Sequence, residues 1–174
     1  MNLSSLRRWV TSAEASKAKA PELSGPAGAE AQFLKGSEFA SGTGAAQDYT
    51  QAAQWYSLAA EQNHSLAQLQ LATCYEHGQG VPQDKCKSVV WLTRAAKLGN
   101  PAAQYKLGVQ QHLACRAAGE GDAAEARIEA LMWVRLSAGQ GYHGAQNACE
   151  FVALRMTRDE VTESARRVTL FVAG

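Results

Sequence analysis

Residues 65–100 read Ser65-LAQLQLATCYEHGQGVPQDKCKSVVWLTRAAKLG-Asn100, and much of the chain on either side is written in the same pattern. Gln32, Gln68 and Gln104 fall 36 residues apart, each directly after an alanine. Trp55 and Trp91 keep the same interval, as do Gly42 and Gly78, Gly44 and Gly80, and Asp48 and Asp84. The pair Ala59-Ala60 returns as Ala95-Ala96. Beyond Gln104 the interval lengthens to 42, both from Gln104 to Gln146 and from Trp91 to Trp133. Equal slippage of both markers places an insertion in or around Leu113–Asp122. A period of this length is the signature of a repeat architecture.

Each unit reads as two helices and a turn. In the second, Leu66, Leu69, Leu71, Ala72 and Tyr75 recur near three-to-four spacing, which predicts a helix. Gly78 and Gly80 end it, because glycine enters the left-handed conformation without a Cβ penalty. Val81-Pro82 forces an extended step, and Asp84 supplies an acceptor for the free amides opening a second helix. That helix carries Val89, Val90, Leu92, Ala95, Ala96 and Leu98 around Trp91. Asn100-Pro101 restarts the cycle as a cap followed by proline at the first helical position. One such hairpin cannot cover its own apolar face, so neighbours must stack on it.

Three signatures, Ala103-Gln104-Tyr105-Lys106-Leu107-Gly108, Gly78-Gln79-Gly80-Val81-Pro82-Gln83-Asp84 and Trp91-Leu92-Thr93-Arg94-Ala95-Ala96, resemble the Sel-one-like repeat, a relative of the tetratricopeptide repeat. The resemblance covers roughly Ala29 to Ala148. It implies an all-α fold, an α/α right-handed superhelical solenoid that acts as a scaffold for protein partners without catalysis. The chain departs from the pattern at Gly44-Ala45-Ala46, where Gly-Val-Pro is usual, and at Gly119-Glu120-Gly121. Disulfide-bridged secreted relatives carry cysteines at the positions of Ala96 and Gln104. The four cysteines here (Cys74, Cys86, Cys115, Cys149) lie elsewhere, which fits reduced thiols and a cytoplasmic compartment. Alanine-rich usage and the family's abundance in bacteria point to a bacterial source.

Domain organisation follows from the repeats: a flexible tail over residues 1–28, then a repeat domain over 29–174. The repeats run over about 29–63, 65–99 and 101–141, with a partial unit at 143–156 and a capping helix at 158–172. In the third repeat the insertion is expected to add a helical turn and lengthen the loop into a protrusion. Leu3, Leu6 and Trp9-Val10 stand at helical spacing beside Arg7 and Arg8. They read as a short amphipathic peptide for a partner or membrane surface, or as a frayed terminus or one helical turn capping the first repeat. Thr157-Arg158-Asp159-Glu160 spells a capping box. After it, Val161, Ala165, Val168 and Val172 form an apolar stripe that should seal the end of the stack, leaving Arg158, Arg166 and Arg167 off the stripe. A sealed end would also mean that the array was not cut from a longer one, and two sealed ends favour a monomer.

At 174 residues with net charge +1 the chain has material for one domain and no strongly basic face for nucleic acid. No apolar run is long enough to span a bilayer. In tetratricopeptide-like solenoids the first helices line the concave face. Carrying that across gives Phe33, Leu69, Thr73, His77, Tyr105, Val109, His112, Asn147 and Phe151 as candidate partner-binding residues, with ordinary packing between repeats as the alternative. Trp55, Trp91 and Trp133 repeat in register with the alanine pairs and are structural. Cys74 with His77 and His112 with Cys115 are each three apart and offer a tetrahedral zinc set, hence a metal- or redox-responsive regulator as the rival function. Buried free cysteines need no metal, and no cofactor is expected. Catalytic motifs for acyl transfer, phosphate binding or metalloprotease chemistry are missing from the sequence.

Overall fold

The computed structural model describes the backbone of residues 28–44, 46–118 and 123–173, and their side chains except those of 115–118 and 123. Helices follow one another without a strand among the described residues: α1 (Ala29–Ser41), α2 (Tyr49–Glu61), α3 (Ser65–His77), α4 (Lys85–Lys97), α5 (Pro101–Ala118), α6 (Ala123–Gly139), α7 (Ala145–Ala153) and α8 (Arg158–Ala173). They pair as hairpins α1–α2, α3–α4 and α5–α6, and each second helix packs on the next first helix. The result is an all-α solenoid. The tail, with Leu3–Val10, and Gly119-Glu120-Gly121 lie outside the described residues.

The turns inside the first two hairpins share their main bonds. Gly42 and Gly78 take the left-handed conformation at φ 74° and 72° and close α1 and α3. Gln47 Nε2 donates to the Ala40 carbonyl at 2.8 Å and Gln83 Nε2 to the Glu76 carbonyl at 2.7 Å. Asp48 N–H then donates to Phe39 O and Asp84 N–H to Tyr75 O. Both aspartates cap the helix that follows, Asp48 accepting from Thr50 and Gln51 and Asp84 from Lys87. Gly80 has a second duty. A Cβ on it would run into the Tyr49 carbonyl, so this turn rests directly on the start of α2 in the preceding repeat.

The glutamine that marks the register turns out to hold the repeats together. Gln68 and Gln104 are each 1% exposed. Gln68 Nε2 donates to the Ala60 carbonyl at 3.0 Å and Gln104 Nε2 to the Ala96 carbonyl at 3.1 Å. Those carbonyls lie in the last turns of α2 and α4, where no helical amide four residues on can donate to them; each also accepts from a turn amide, Asn63 N–H and Gly99 N–H. The fully buried alanine pairs leave room for the next helix to approach. Ala-Ala and Ala-Gln therefore recur together because they are two sides of one joint.

A third in-register position controls how closely the helices of a hairpin cross. Gly36, Ala72 and Gly108 are 36 residues apart and buried. A Cβ at Gly36 would lie 2.7 Å from the Tyr56 ring, and one at Gly108 would lie 2.5 Å from Val134 Cγ2. Trp55 and Trp133 are buried, while Trp91 is half-buried, touches both main core clusters and carries Arg94 over its ring.

The insertion in the third repeat lengthens the helices and not the loop. α5 has 18 residues and α6 has 17, against 13 in each helix of the first two repeats. Only residues 119–122 separate α5 from α6, whereas residues 78–84 separate α3 from α4. The expected added helical turn is present, and the expected longer loop is corrected: helix extends to Ala118 and resumes at Ala123.

The fourth unit departs from the rest. Gly144 at φ 81° delays α7 to Ala145, so the helix starts one residue before Gln146, whereas α3 and α5 start three before their glutamines. Glu150 occupies the place of Gly36, Ala72 and Gly108 by the 42-residue step. A close second helix cannot cross there, and α8 lies along α6.

The capping box forms, with Thr157 N–H donating to Glu160 Oε2 at 2.7 Å and Glu160 N–H to Thr157 Oγ1 at 3.3 Å. Only half of the expected apolar stripe is taken into the contact, with Val161 and Val168 packed against the core. Ala165 is exposed and Val172 is 73% exposed, while Ser164 and Glu160 are buried. Arginines on α6 dictate that rotation. Arg127 pairs with Glu160 at 2.5 Å, and Arg135 Nη1 donates to Ser164 Oγ and the Val161 carbonyl, both at 3.0 Å. Arg167, expected off the contact, bridges Glu125 of α6 and Glu163. Val168 and Phe171 complete the seat, Phe171 edge-on to Trp133 at 5.4 Å. Half-buried guanidinium groups need acceptors more than two small apolar side chains need cover.

Candidate partner-binding face

The candidate residues divide between the two halves of the molecule. In the first half most are committed to internal contacts. Phe33 stacks on His64 at 4.8 Å and meets Tyr56 at 5.8 Å. Leu69 packs against the core around Ala96 and Leu107, and the Thr73 hydroxyl donates to the Leu69 carbonyl. His77 is exposed at the end of α3, next to Glu76, which also pairs with Lys106 of α5.

In the second half they come together. Tyr105 of α5 meets Tyr142 at 5.3 Å. One turn and two turns along α5 lie Val109, half-buried, and His112, 4% exposed. The His112 ring meets Phe151 of α7 edge-on at 5.2 Å. Phe151 remains 52% exposed, and Asn147 is exposed one turn before it. Leu154, 79% exposed, borders this pair, and Leu113, 53% exposed, follows His112 in the chain. A cleft of about 130 Å³ opens among His112, Phe151, Leu154 and Arg155. Sequence periodicity pointed to His112 and Phe151 but missed Leu113, Leu154 and Arg155. The signal for Leu154 was its place at the break of α7, where a leucine has no facing helix.

The four zinc candidates do not assemble among the described residues. Cys74 is buried with Ala52, Tyr56 and Leu71, and burial pushes its thiol up. His112 faces Phe151, His77 faces solvent, and the Cys115 side chain is outside the described residues. No three His, Cys, Asp or Glu side chains among the described residues are grouped to hold a metal ion. Cys74, Cys86 and Cys149 are free thiols. No described helix is long and apolar enough to cross a membrane.

Comparison with known proteins gives a consistent picture. The Sel1 repeat matches residues 29–64, 65–100 and 101–142. Among solved structures, c5321, a protective antigen of uropathogenic Escherichia coli displaying an SLR fold, is similar with a TM-score of 0.64 and 29% identity, over 80% of this chain and 31% of that one. A Sel1 repeat protein from Oxalobacter formigenes is similar with a TM-score of 0.66 and 23% identity, over 84% of this chain and 58% of that one. The chain thus spans about a third and somewhat over half of the lengths of these two proteins. A search of curated proteins finds no match.

Proposed function

This chain belongs to the Sel1 repeat family, and from that premise we propose that it is a non-catalytic scaffold which docks a partner peptide or protein domain. The docking surface is the α5–α7 face, with Tyr105, Val109, His112, Asn147 and Phe151 drawn from the expected set and Leu113 and Leu154 added to it. One observation carries the reading. A large aromatic ring, Phe151, is held in place by a buried neighbour yet keeps half its surface in water beside exposed Leu154. Rigid aromatic anchors of this kind supply contact area at small entropic cost and dominate binding energies. The complementary segment would place an apolar side chain in the cleft and an acidic group near Arg155. The free thiols favour a reducing compartment such as the cytoplasm. The exposed side of α1 sets Leu34 among Glu30, Glu38 and Ser41, and this largely polar face favours a monomer over end-to-end stacking.

The test is affinity capture from lysate of the source cell, comparing wild type with a Phe151→Ser, Leu154→Ser variant. Both side chains are exposed, so the melting temperature should hold. The expected result is a partner captured by wild type and retained at about a tenth of that level or less by the variant, the size of an interface hot spot. Undiminished capture by the folded variant would overturn the assignment.

A further inference from the structure

The second helices of the three hairpins share a register but not an outer face. On α6, where α8 is seated, Ile128, Met132 and Leu136 are 9%, 8% and 6% exposed. Val161 and Val168 of α8 pack against the clusters that contain Leu131 and Met132, and Phe171 meets Trp133 edge-on. Glu160 of α8 pairs with Arg127 near the start of α6. On α2 the register equivalents of Ile128, Met132 and Leu136 are Thr50, Gln54 and Leu58, two of them polar.

On α4 the same positions hold Cys86, Val90 and Arg94, and all three are exposed. With Lys97 they fall at i, i+4, i+8 and i+11, one face of a helix, opposite the buried Ser88, Leu92 and Ala95. Val90 is 51% exposed, and Leu98, next to Lys97, is 48% exposed. The charge around these two aliphatic side chains has one sign. α4 contains Lys85, Lys87, Arg94 and Lys97 and no acidic residue. Asp84, its cap, lies 3.6 Å from Lys87. Lys85, Arg94 and Lys97 have no acidic partner among the described residues. Arg94 sits 4.7 Å over the Trp91 ring and Lys87 5.4 Å over the Tyr75 ring, contacts that position both cations without neutralising them. Lys85 stands where Arg127 receives Glu160 of α8.

This mixture of side chains selects its occupant. An apolar surface laid on the strip would strip water from Arg94 and Lys97 and return nothing. Carboxylates return that cost as charge-assisted hydrogen bonds, while Val90 and Leu98 supply apolar contact. A helix is the fitting shape, because a helix occupies the equivalent face of α6 and meets its first cation with a glutamate. We infer that the outer face of α4 docks an acidic amphipathic helix of a partner protein, with its apolar stripe on Val90 and Leu98 and its carboxylates at Lys85, Arg94 and Lys97. This face belongs to a second helix, whereas the α5–α7 face is built from first helices. The inference therefore does not depend on the function assigned to Phe151.

The probe is a capped, fluorescein-labelled helical peptide of about four turns. It has leucines at i, i+4, i+7 and i+11, glutamates flanking them and alanines elsewhere. Its binding to the full chain is followed by fluorescence anisotropy. Saturable binding is expected, and an Arg94→Glu, Lys97→Glu variant should bind at least about tenfold more weakly. Both side chains are exposed, so the melting temperature should hold. A peptide with lysines in place of the glutamates should reverse that preference, binding the variant and not the wild type. Val90→Ser should weaken the acidic peptide about fivefold, as for a contact with an apolar component. Bound peptide should slow iodoacetamide labelling of Cys86, followed by site-resolved mass spectrometry, and leave the Cys149 rate unchanged.

The Phe151→Ser, Leu154→Ser variant should bind the acidic peptide like wild type, and loss of binding there would place the peptide on the α5–α7 face and overturn the inference. Equal affinity of the wild type for the acidic and basic peptides, or no saturable binding of the acidic one, would overturn it as well. Binding to phosphatidylserine vesicles without binding to the acidic peptide would replace the helix with an anionic membrane surface.

Discussion

The two inner joints, α2–α3 and α4–α5, and the last joint, α6–α7, are built from closely similar repeat text and part at three positions of the contact. At the inner joints a buried glutamine binds the end of the preceding helix, a buried leucine fills the groove, and a glycine or alanine lets the second helix cross closely. At the last joint Gln146 is exposed, Cys149 is smaller than leucine, and Glu150 holds the crossing open. The lesson is that a solenoid ends where its crossing residue stops being small. The helix that follows must then find another seat, and α8 finds one among the arginines of α6.

The strongest way to break this comparison is to move the terminal feature inside. Ala72→Glu places an unpaired carboxylate at the α3–α4 crossing, where Ala72 is 1% exposed. It should destabilise the fold by about 4 kcal/mol or more. Glu150→Ala, at the equivalent position of the last unit, should stay within about 0.5 kcal/mol in urea unfolding. Similar losses for the two would mean that the crossing position does not set where the array ends.

The glutamine comparison is smaller. Gln104→Ala removes a buried donor and leaves the Ala96 carbonyl without it, at a cost of about 1–3 kcal/mol. Gln146→Ala should change stability by less than about 0.5 kcal/mol. Thermal unfolding of the two variants side by side measures the difference, and a cost at Gln146 equal to that at Gln104 would show that the last joint is clamped after all.

The smallest effect concerns how α8 is held. A hydrogen bond from Arg167 holds the Glu125 carboxyl below its ordinary value, and those from Arg166 and Arg167 bring Glu163 down to about 2. Burial pushes Glu160 up, but the Thr157 N–H and Arg127 outweigh it and leave it lowered. Carboxyls depressed on folding stabilise above their unfolded pKa, about 4.3, and lose that contribution as pH falls through the folded values. α8 should therefore loosen between about pH 4.3 and 2, ahead of the inner repeats, whose joints are held by uncharged glutamines and apolar side chains. The Phe171 ring, edge-on to Trp133, gives the signal in proton NMR. Loss of the Phe171 and α4 resonances at a single midpoint would contradict a separate polar attachment.

Much of the candidate face was readable in advance, for an uneven reason. Register alone brought Tyr105, Val109, His112, Asn147 and Phe151 forward, because first-helix positions recur on one side of the stack. The same register also named Phe33 and Leu69, whose side chains are taken up by Tyr56, His64 and the core. Periodicity marks which side of a helix a residue is on. It does not say whether a neighbour has already filled the space in front of it, and Leu113 and Leu154 stay exposed among the described residues.

By itself the sequence determined the repeats, the helices, their caps and the turn glycines, since all of these depend on residues within a few positions of one another. Asp84 caps its helix wherever that helix is placed. Tertiary structure decided which carbonyl Gln104 reaches, which face of α8 is buried, and whether the inserted residues lengthen helix or loop. Each of those outcomes depends on a partner 8 to 42 residues away along the chain. The apolar stripe of α8 was real as a pattern, yet Arg127 and Arg135 on another helix outbid it, because leaving a guanidinium without acceptors costs more than leaving Ala165 and Val172 in water.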